Sequence, residues 1–287
     1  YFSASALGII LLSISLGIFW LQYHFIGRKN YVTLSGKGVE GRSTPLSVGL
    51  KITVVSIFAA WVGFNALLYG SIFYGSVMQN WGVNHTFTLQ HYITLFGQGW
   101  KNGAIPSLLQ TVLFAVIAAP FTAVSSFLLA YFFSRHRFFG QKHIEFLTLL
   151  SFAVPGTVAG VSYILAFNNV PLYLTGTGAI IVLSMVTRNM PIGLRAALVN
   201  FKQLDPALDE AAYSLKASAF QTLRFITLPL LKPALLSALV TSFVRAMTTI
   251  SAIIFLVTPS TRVATSFILN RVEDGDYGLA VAYGASL

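Results

Sequence analysis

Apolar residues in this chain fall in long, nearly unbroken runs rather than in the alternating or three-to-four spacing of half-buried strands and helices. Runs long enough to cross a bilayer occupy about residues 2–22, 50–78, 105–133, 144–167, 177–198 and 229–257, and a seventh begins near Leu279 and is unfinished. A transmembrane helix needs roughly 20 apolar residues. The pattern therefore predicts an all-α, polytopic membrane helix bundle of about seven spans, the last incomplete. It divides into an extra span over 1–23, a linker over 24–49 rich in Gly, Ser and basic residues, and a main transmembrane domain over 50–287.

Polar loops between the runs orient the bundle, because cytoplasmic loops hold the excess of Lys and Arg. Residues 23–51 contain Arg28, Lys29, Lys37, Arg42 and Lys51 against Glu40, and read as cytoplasmic. Loop 79–104, with Lys101 alone, reads as external. Loop 134–143 holds Arg135, Arg137 and Lys142 (inside), loop 168–176 is uncharged (outside), and segment 199–228 holds Lys202, Lys216 and Arg224 (inside). Loop 258–278 sets Arg262 and Arg271 against Glu273, Asp274 and Asp276, and reads as external. Each span flips the side. The formal net charge of +10, from 18 Lys and Arg against 8 Asp and Glu, is thereby absorbed as a topology signal, and nucleic acid is excluded as a partner.

Composition agrees: 55% of the 287 residues are hydrophobic, and 9% are charged against about 25% in soluble domains. Cysteine is absent, which excludes disulfides and thiolate metal sites. Tyr1 has no basic stretch ahead of the first apolar run, so no signal peptide is read there, and both ends look like cuts through a longer polypeptide. Gly36-Lys37 lacks the P-loop context, since Tyr31 and Gly38 stand where Gly and Ser/Thr are needed. His24, His85, His91, His136 and His143 lie in or beside loops, and no catalytic or metal-ligand spacing occurs. The chain is not read as an enzyme.

Segment 203–233 (QLDPALDEAAYSLKASAFQTLRFITLPLLKP) is the informative one. Asp205-Pro206 is a helix start, with Asp at the N-cap and Pro in the first turn. Asp209 and Glu210 follow near the positive end of the helix dipole. Leu204, Leu208, Ala211, Ala212 and Leu215 form an apolar, small-residue face. A second short helix is expected from Ser218 toward Ile226, and Leu228-Pro229 is expected to turn the chain back into the membrane. Such a hairpin is either a surface-lying filler or a docking element for another protein.

Glu210-Ala211-Ala212, followed at matching spacing by Ile226, Leu228 and Pro229, resembles the EAA loop of binding-protein-dependent ABC importer permeases. Lys216 stands where that pattern has Gly, so the turn there is either left-handed, at a cost of about 1–2 kcal/mol, or open. Residues 151–168, 175–198 and 243–280 look like the ferric-iron-type permeases, a type I importer architecture in which two halves are often fused. The resemblance covers about 50–287 and implies a C-terminal half, with the other half upstream in the same polypeptide or in a paired subunit.

The resemblance further implies that the hairpin over 204–228 couples to an ABC ATPase dimer through Asp209, Glu210, Ala211, Ala212, Lys216, Ile226, Leu228 and Pro229. It implies a periplasmic binding protein that delivers solute, a bacterial inner-membrane location in contact with lipid, and ferric iron as the solute. No cofactor is implied in this chain; ATP and Mg belong to the partner ATPase.

Within the spans, Arg188 and Arg245 sit near mid-membrane, where a charge costs at least about 2.5–3.5 kcal/mol and must face a cavity, a partner or a substrate. Each either caps backbone carbonyls, pairs across the half interface, or contacts an anionic solute. Tyr163 and Asn168 are candidate companions on the translocation path. Arg195 is near enough to the cytoplasmic end to snorkel. No span interior contains a carboxylate, a poor cage for bare Fe(III). Either the metal passes weakly held or with an anion, or the solute is itself anionic, such as a sugar phosphate or phosphonate. Pro120, Pro155-Gly156 and Pro191 shape helices or mark a hinge. Glu273-Asp274-Gly275-Asp276 reads better as a docking loop than as a calcium site. A secondary transporter is the rival class, though it has no need of the EAA hairpin.

Overall fold

The structure is a computed structural model that describes residues 2–21, 47–97, 99–100, 103–136, 138–205 and 207–287. The linker with Arg28, Lys29, Lys37, Glu40 and Arg42 lies outside the described residues, as do His24, Lys101, Arg137 and Pro206. The chain divides into two compact units, 1–20 with 106–266, and 21–105 with 267–287.

The first unit is helical. It contains α1 (Phe2–Leu21), α4 (Ala104–Arg135), α5 (Gln141–Ala153), α6 (Gly156–Phe167), α7 (Gly178–Gln203), α8 (Ala207–Ser214), α9 (Ala219–Thr222) and α10 (Leu228–Thr248) over most or all of their lengths. Its core joins Phe114, Ala115 and Ala118 of α4 to Ile180, Ile181 and Met185 of α7, with Ala246 of α10 and Ile253, Leu256 and Val263 beyond it. Helices in lipid gain little from hydrophobic transfer and associate through close contact of small residues. Ala115 and Ala118 are fully buried, and a Cβ on Gly178 would stand 2.7 Å from the Phe114 ring. Polar cross-links complete the packing: Ser126 Oγ donates to the Met190 carbonyl at 3.1 Å, and Thr111 Oγ1 accepts from the Ala264 amide at 2.7 Å.

Two apolar runs are not simple spans. The run over 144–167 is two helices bent by 112°. Pro155 pushes Val154 into extended backbone, ending α5. The run over 229–257 stops being α-helical at Thr248, where Thr249 turns extended. The chain then forms irregular backbone with a 3₁₀ turn at Ile253–Phe255 and buries Ala252, Ile253 and Leu256. Hydropathy cannot separate this inward-packed segment from a helix. Glycines make room for it: a Cβ on Gly156 would lie 2.0 Å from Ser251 Oγ, and one on Gly160 2.5 Å from the Ala252 carbonyl. Pro120 and Pro191 stay inside continuous helices.

The second unit holds α2 (Val48–Ser76), an antiparallel hairpin of β1 (Met78–Asn80) and β2 (Asn84–Phe87), α3 (Gln90–Gly97) and α12 (Tyr277–Ser286). The segment over 79–97, expected outside the membrane, is therefore structured. Tyr283 of α12 is fully buried, stands edge-on to Phe267 and donates to the Ala104 carbonyl at 2.7 Å. His91 Nε2 lies 2.9 Å from the Met78 carbonyl. The loop over 258–278, also expected outside, contains α11 (Ala264–Glu273), whose Arg271 pairs with Asp276 at 3.3 Å and Asp274 at 3.7 Å. Two acids of the expected docking loop are thus held by an arginine of the same turn.

Among the described residues, α2, α4 and the helix over Ala219–Thr248 are long and apolar enough to cross a membrane, and the bent α5–α6 pair makes a fourth if taken as one span. This is fewer than seven. Arg188, Asn189 and Arg195 lower the hydropathy of α7, which stays one helix, α12 is short, and in the first run the apolar helix that counts is the short Ile9–Leu21.

Candidate functional site

Two places in the first unit gather the residues singled out by the sequence: the hairpin after α7 and a polar cleft beside α7 and α10.

The hairpin is built by caps. Asp205 Oδ1 accepts from the Ala207 amide at 2.9 Å and starts α8. At the other end, the Ala217 amide reaches the Ala212 carbonyl at 3.0 Å, and the Lys216 amide reaches the Tyr213 carbonyl at 2.9 Å. This is a Schellman closure, which requires a left-handed residue between the two. Lys216 occupies it with φ 58°, the one non-glycine residue of positive φ among the described residues. The turn is left-handed, not open. Ser218 then caps the next helix with a full capping box, accepting from the Gln221 amide while Gln221 Oε1 accepts from the Ser218 amide at 2.7 Å.

The chain does not turn at Leu228-Pro229. α9 runs through a π-helical segment, Leu223–Thr227, straight into α10, making one helix over Ala219–Thr248. Proline has no N–H and its ring crowds the preceding turn. Widening that turn, so that the Leu228 amide bonds the Leu223 carbonyl five residues back, accommodates it. Ile226 is half-buried on this helix; Leu228 and Pro229 are exposed.

The expected apolar face of α8 is not packed inward. Ala212 is buried, while Leu208, Ala211 and Leu215 are exposed, Leu215 at 83%. Tyr213 and Phe220 stand out at 67% each. Glu210 makes no ion pair among the described residues, whereas Asp209 is engaged within the chain: its Oδ2 lies 2.9 Å from Arg135 Nη1 at the end of α4. The pair ties α8 to the α4 terminus.

The cleft brings Arg188 and Arg245 together. A cavity of about 260 Å³ is lined by both, with Asn189, Thr248, Thr249 and Ser251 among its walls. A neighbouring cavity of about 340 Å³ shares Asn189, Ile192 and Arg245 and continues along Thr241, Ser237 and Asn200. Arg188 is half-buried and donates to the Val154 carbonyl at 3.3 Å, at the α5–α6 break. That is the carbonyl-capping role. Arg245 is exposed and makes no ion pair among the described residues. No carboxylate lines either cavity.

Tyr163 reaches the region indirectly, its hydroxyl hydrogen-bonded to Thr187 Oγ1, next to Arg188. Asn168 does not join it; it caps the far end of α6 and is exposed. Sequence reasoning missed Asn189, buried with its Nδ2 unpartnered, and the hydroxyls on α10 and beyond. The place of Asn189 directly after Arg188, a charge that must face a polar environment, was the signal that could have found it.

Residues 99–287 match the model of the family described as binding-protein-dependent transport system inner membrane component. The chain is 61% identical over its whole length to the ferric transport system permease protein FbpB of Actinobacillus pleuropneumoniae, spanning 42% of that protein. It is 62% identical, over 96% of its length, to the putative ferric transport system permease protein FbpB 1 of Haemophilus influenzae, spanning 46% of it. The chain thus covers less than half the length of these relatives. A solved bacterial ABC transporter involved in the import of the acidic polysaccharide alginate superposes with a TM-score of 0.66, covering 82% of this chain and 88% of that one at 17% identity, a likeness of fold alone.

Proposed function

We propose, for a chain that belongs to the inner-membrane components of binding-protein-dependent transport systems, that it is permease machinery of an ATP-driven importer. The observation that carries this reading is the hairpin: a helix closed at both ends by caps, with its apolar side chains and Glu210 turned outward. Exposed Leu208, Ala211, Tyr213 and Leu215 offer a knob for a groove on a partner ATPase, and Ala211 lets the two backbones approach closely. Closure of an ATPase dimer on ATP then moves the permease halves as rigid bodies through this docked element. A periplasmic binding protein delivers the solute from outside. The second permease half is either another part of a longer polypeptide or a paired subunit.

These 287 residues contain no cysteine, so within them an introduced cysteine is the single thiol. Glu210→Cys in the full-length protein is expected to form a disulfide with a cysteine placed in the groove of the co-expressed ATPase. Absence of cross-linking at every groove position, with Ser214→Cys equally silent, overturns the reading.

The relatives' names support ferric iron as the solute. The cleft favours a second reading, because Arg188 and Arg245 line it with amides and hydroxyls and without a carboxylate. Such a lining suits an anion, either a phosphorylated solute or one that accompanies the metal. Uptake into proteoliposomes with Fe(III), with sugar phosphates and with phosphonates separates the cases. Transport of Fe(III) alone in the absence of any accompanying anion removes the anionic reading.

A further inference from the structure

A third cavity in the first unit shares no lining residue with the arginine cleft. It has a volume of about 930 Å³ and is lined by the end of α4, the turn to α5, the first turn of α5 and the end of α7. Arg135, Lys142, His143 and Lys202 face it, with Glu145 as the one acid of the lining. Asp209 touches the same Arg135 from outside the cavity. Even with both acids counted, the basic groups outnumber them.

Three further observations give this charge a direction. The Arg135 Nε is buried and has no hydrogen-bond partner, although its Nη1 is held by Asp209. α5 begins on Gly140, in left-handed backbone without a capping side chain, and has no acid in its first turn. Helix starts favour acids and helix ends favour bases, so Lys142 adds positive charge to a terminus that is already positive. Finally, Phe138 and Phe139 form part of the wall, and Phe139 is wholly exposed at 105%. A bare phenyl ring beside a cluster of cations is costly in water and at home at the boundary of a membrane.

We propose that this cavity binds the phosphate of an anionic phospholipid headgroup from the cytoplasmic leaflet. Lys142 and Lys202 meet the phosphate beside the Arg135 guanidinium, and Phe138 and Phe139 enter the acyl region. Basic pockets between membrane helices on the cytoplasmic side are suited to such headgroups. The loop from 134 to 143 carries the charge signature of that side. The cavity falls near the upper end of the about 300–1,000 Å³ typical of ligand pockets, more than a lone phosphate fills. Because Arg135 also holds Asp209 of α8, the bound lipid abuts the hairpin. The proposal is independent of which solute is transported.

The test measures lipid retained by the full-length protein after exchange against equal amounts of phosphatidylglycerol and phosphatidylcholine, read by native mass spectrometry. The Lys142→Gln/Lys202→Gln variant is expected to retain about tenfold less phosphatidylglycerol, with phosphatidylcholine unchanged. The Lys142→Arg/Lys202→Arg variant is expected to retain as much as the parent. Equal phosphatidylglycerol retention in the Gln variant, or loss in the Arg variant when both melt at the parent temperature, overturns the proposal. Millimolar inorganic phosphate is expected to leave the lipid in place, and its displacement would assign the cavity to a soluble anion instead.

Discussion

The hairpin after α7 and the arginine cleft are neighbours in sequence and opposites in construction. The hairpin is fixed by short-range hydrogen bonds: Asp205 to Ala207, Ala217 to Ala212, and Ser218 with Gln221. One long-range tie, Arg135 to Asp209, anchors it. The cleft depends on contacts far apart in the chain, with Arg188 on the Val154 carbonyl and the 249–263 segment packed over Gly156 and Gly160. A surface that must engage and release a partner is served by local caps, because it keeps its shape when the partner leaves. A polar path through a membrane needs backbone and side chains brought together from several helices, since exposed polar groups there find no water. The two regions should therefore fail differently when altered.

The largest effect belongs to the packing under the cleft. Gly160→Leu places a Cβ 2.5 Å from the Ala252 carbonyl, a backbone atom that cannot swing aside. The expected loss is at the upper end of the about 1–3 kcal/mol of ordinary overpacking or beyond it. It is read as reduced yield and melting temperature in detergent. Gly63→Ala is the control: on α2 nothing lies within 4 Å of the added Cβ, and the change is expected to be neutral or slightly stabilising. Equal melting of parent and Gly160→Leu would show that the 249–263 segment does not pack there.

Next come the two arginines, which should separate from each other. Arg188→Met removes the donor to the Val154 carbonyl and is expected to cost about 1–3 kcal/mol as well as transport. Arg245→Met breaks no side-chain hydrogen bond or ion pair among the described residues, so stability should stay within about 0.5 kcal/mol while transport falls. Melting curves and uptake measured on the same preparations check both. Unchanged uptake in Arg245→Met would make the exposed arginine a bystander.

This separation also marks what could be seen from residues alone. Caps were legible at Asp205 and Ser218 because their chemistry acts over two or three residues. The break at Pro155 was only one of two open readings, shared with Pro120 and Pro191, which stay inside continuous helices. The carbonyl that Arg188 caps lies 34 positions away, so that role was open without its partner. The end of α10 was not, since apolar Ile253 and Leu256 look alike in a lipid-facing helix and in a segment folded inward. Leu228-Pro229 misled in the other direction: the dipeptide reads as a turn, yet a π-helical segment carries the helix through it. Asn189 escaped because a lone amide in an apolar run has no spacing rule. Its neighbour across the cleft comes from α10, more than 50 positions away.

A smaller effect is expected where the hairpin meets α4. Asp209→Asn weakens a pair whose side chains are 21% and 18% exposed, a partly screened setting. Ion pairs of this kind contribute up to about 1 kcal/mol. The change is expected to lower the melting temperature little and to loosen α8, seen as faster amide exchange over 207–214. Exchange unchanged in that window would mean that the caps alone hold the hairpin.

The smallest effect, and the one that isolates the hairpin best, is Lys216→Gly. The left-handed backbone at Lys216 costs a side-chain-bearing residue about 1–2 kcal/mol. Glycine removes that strain but loses more conformational freedom on folding, about 0.5–1 kcal/mol. The net is a gain of roughly 0.5–1 kcal/mol, confined to the turn because Lys216 is exposed and contributes no packing. Lys216→Ala keeps the Cβ and should show no gain, which separates backbone relief from loss of the lysine charge. If coupling to an ATPase needs only the shape of the turn, the glycine variant should retain uptake and ATPase stimulation while melting slightly higher. Loss of coupling in both variants would instead assign the lysine side chain a contact with the partner, and would explain why a strained residue stands where glycine fits more easily.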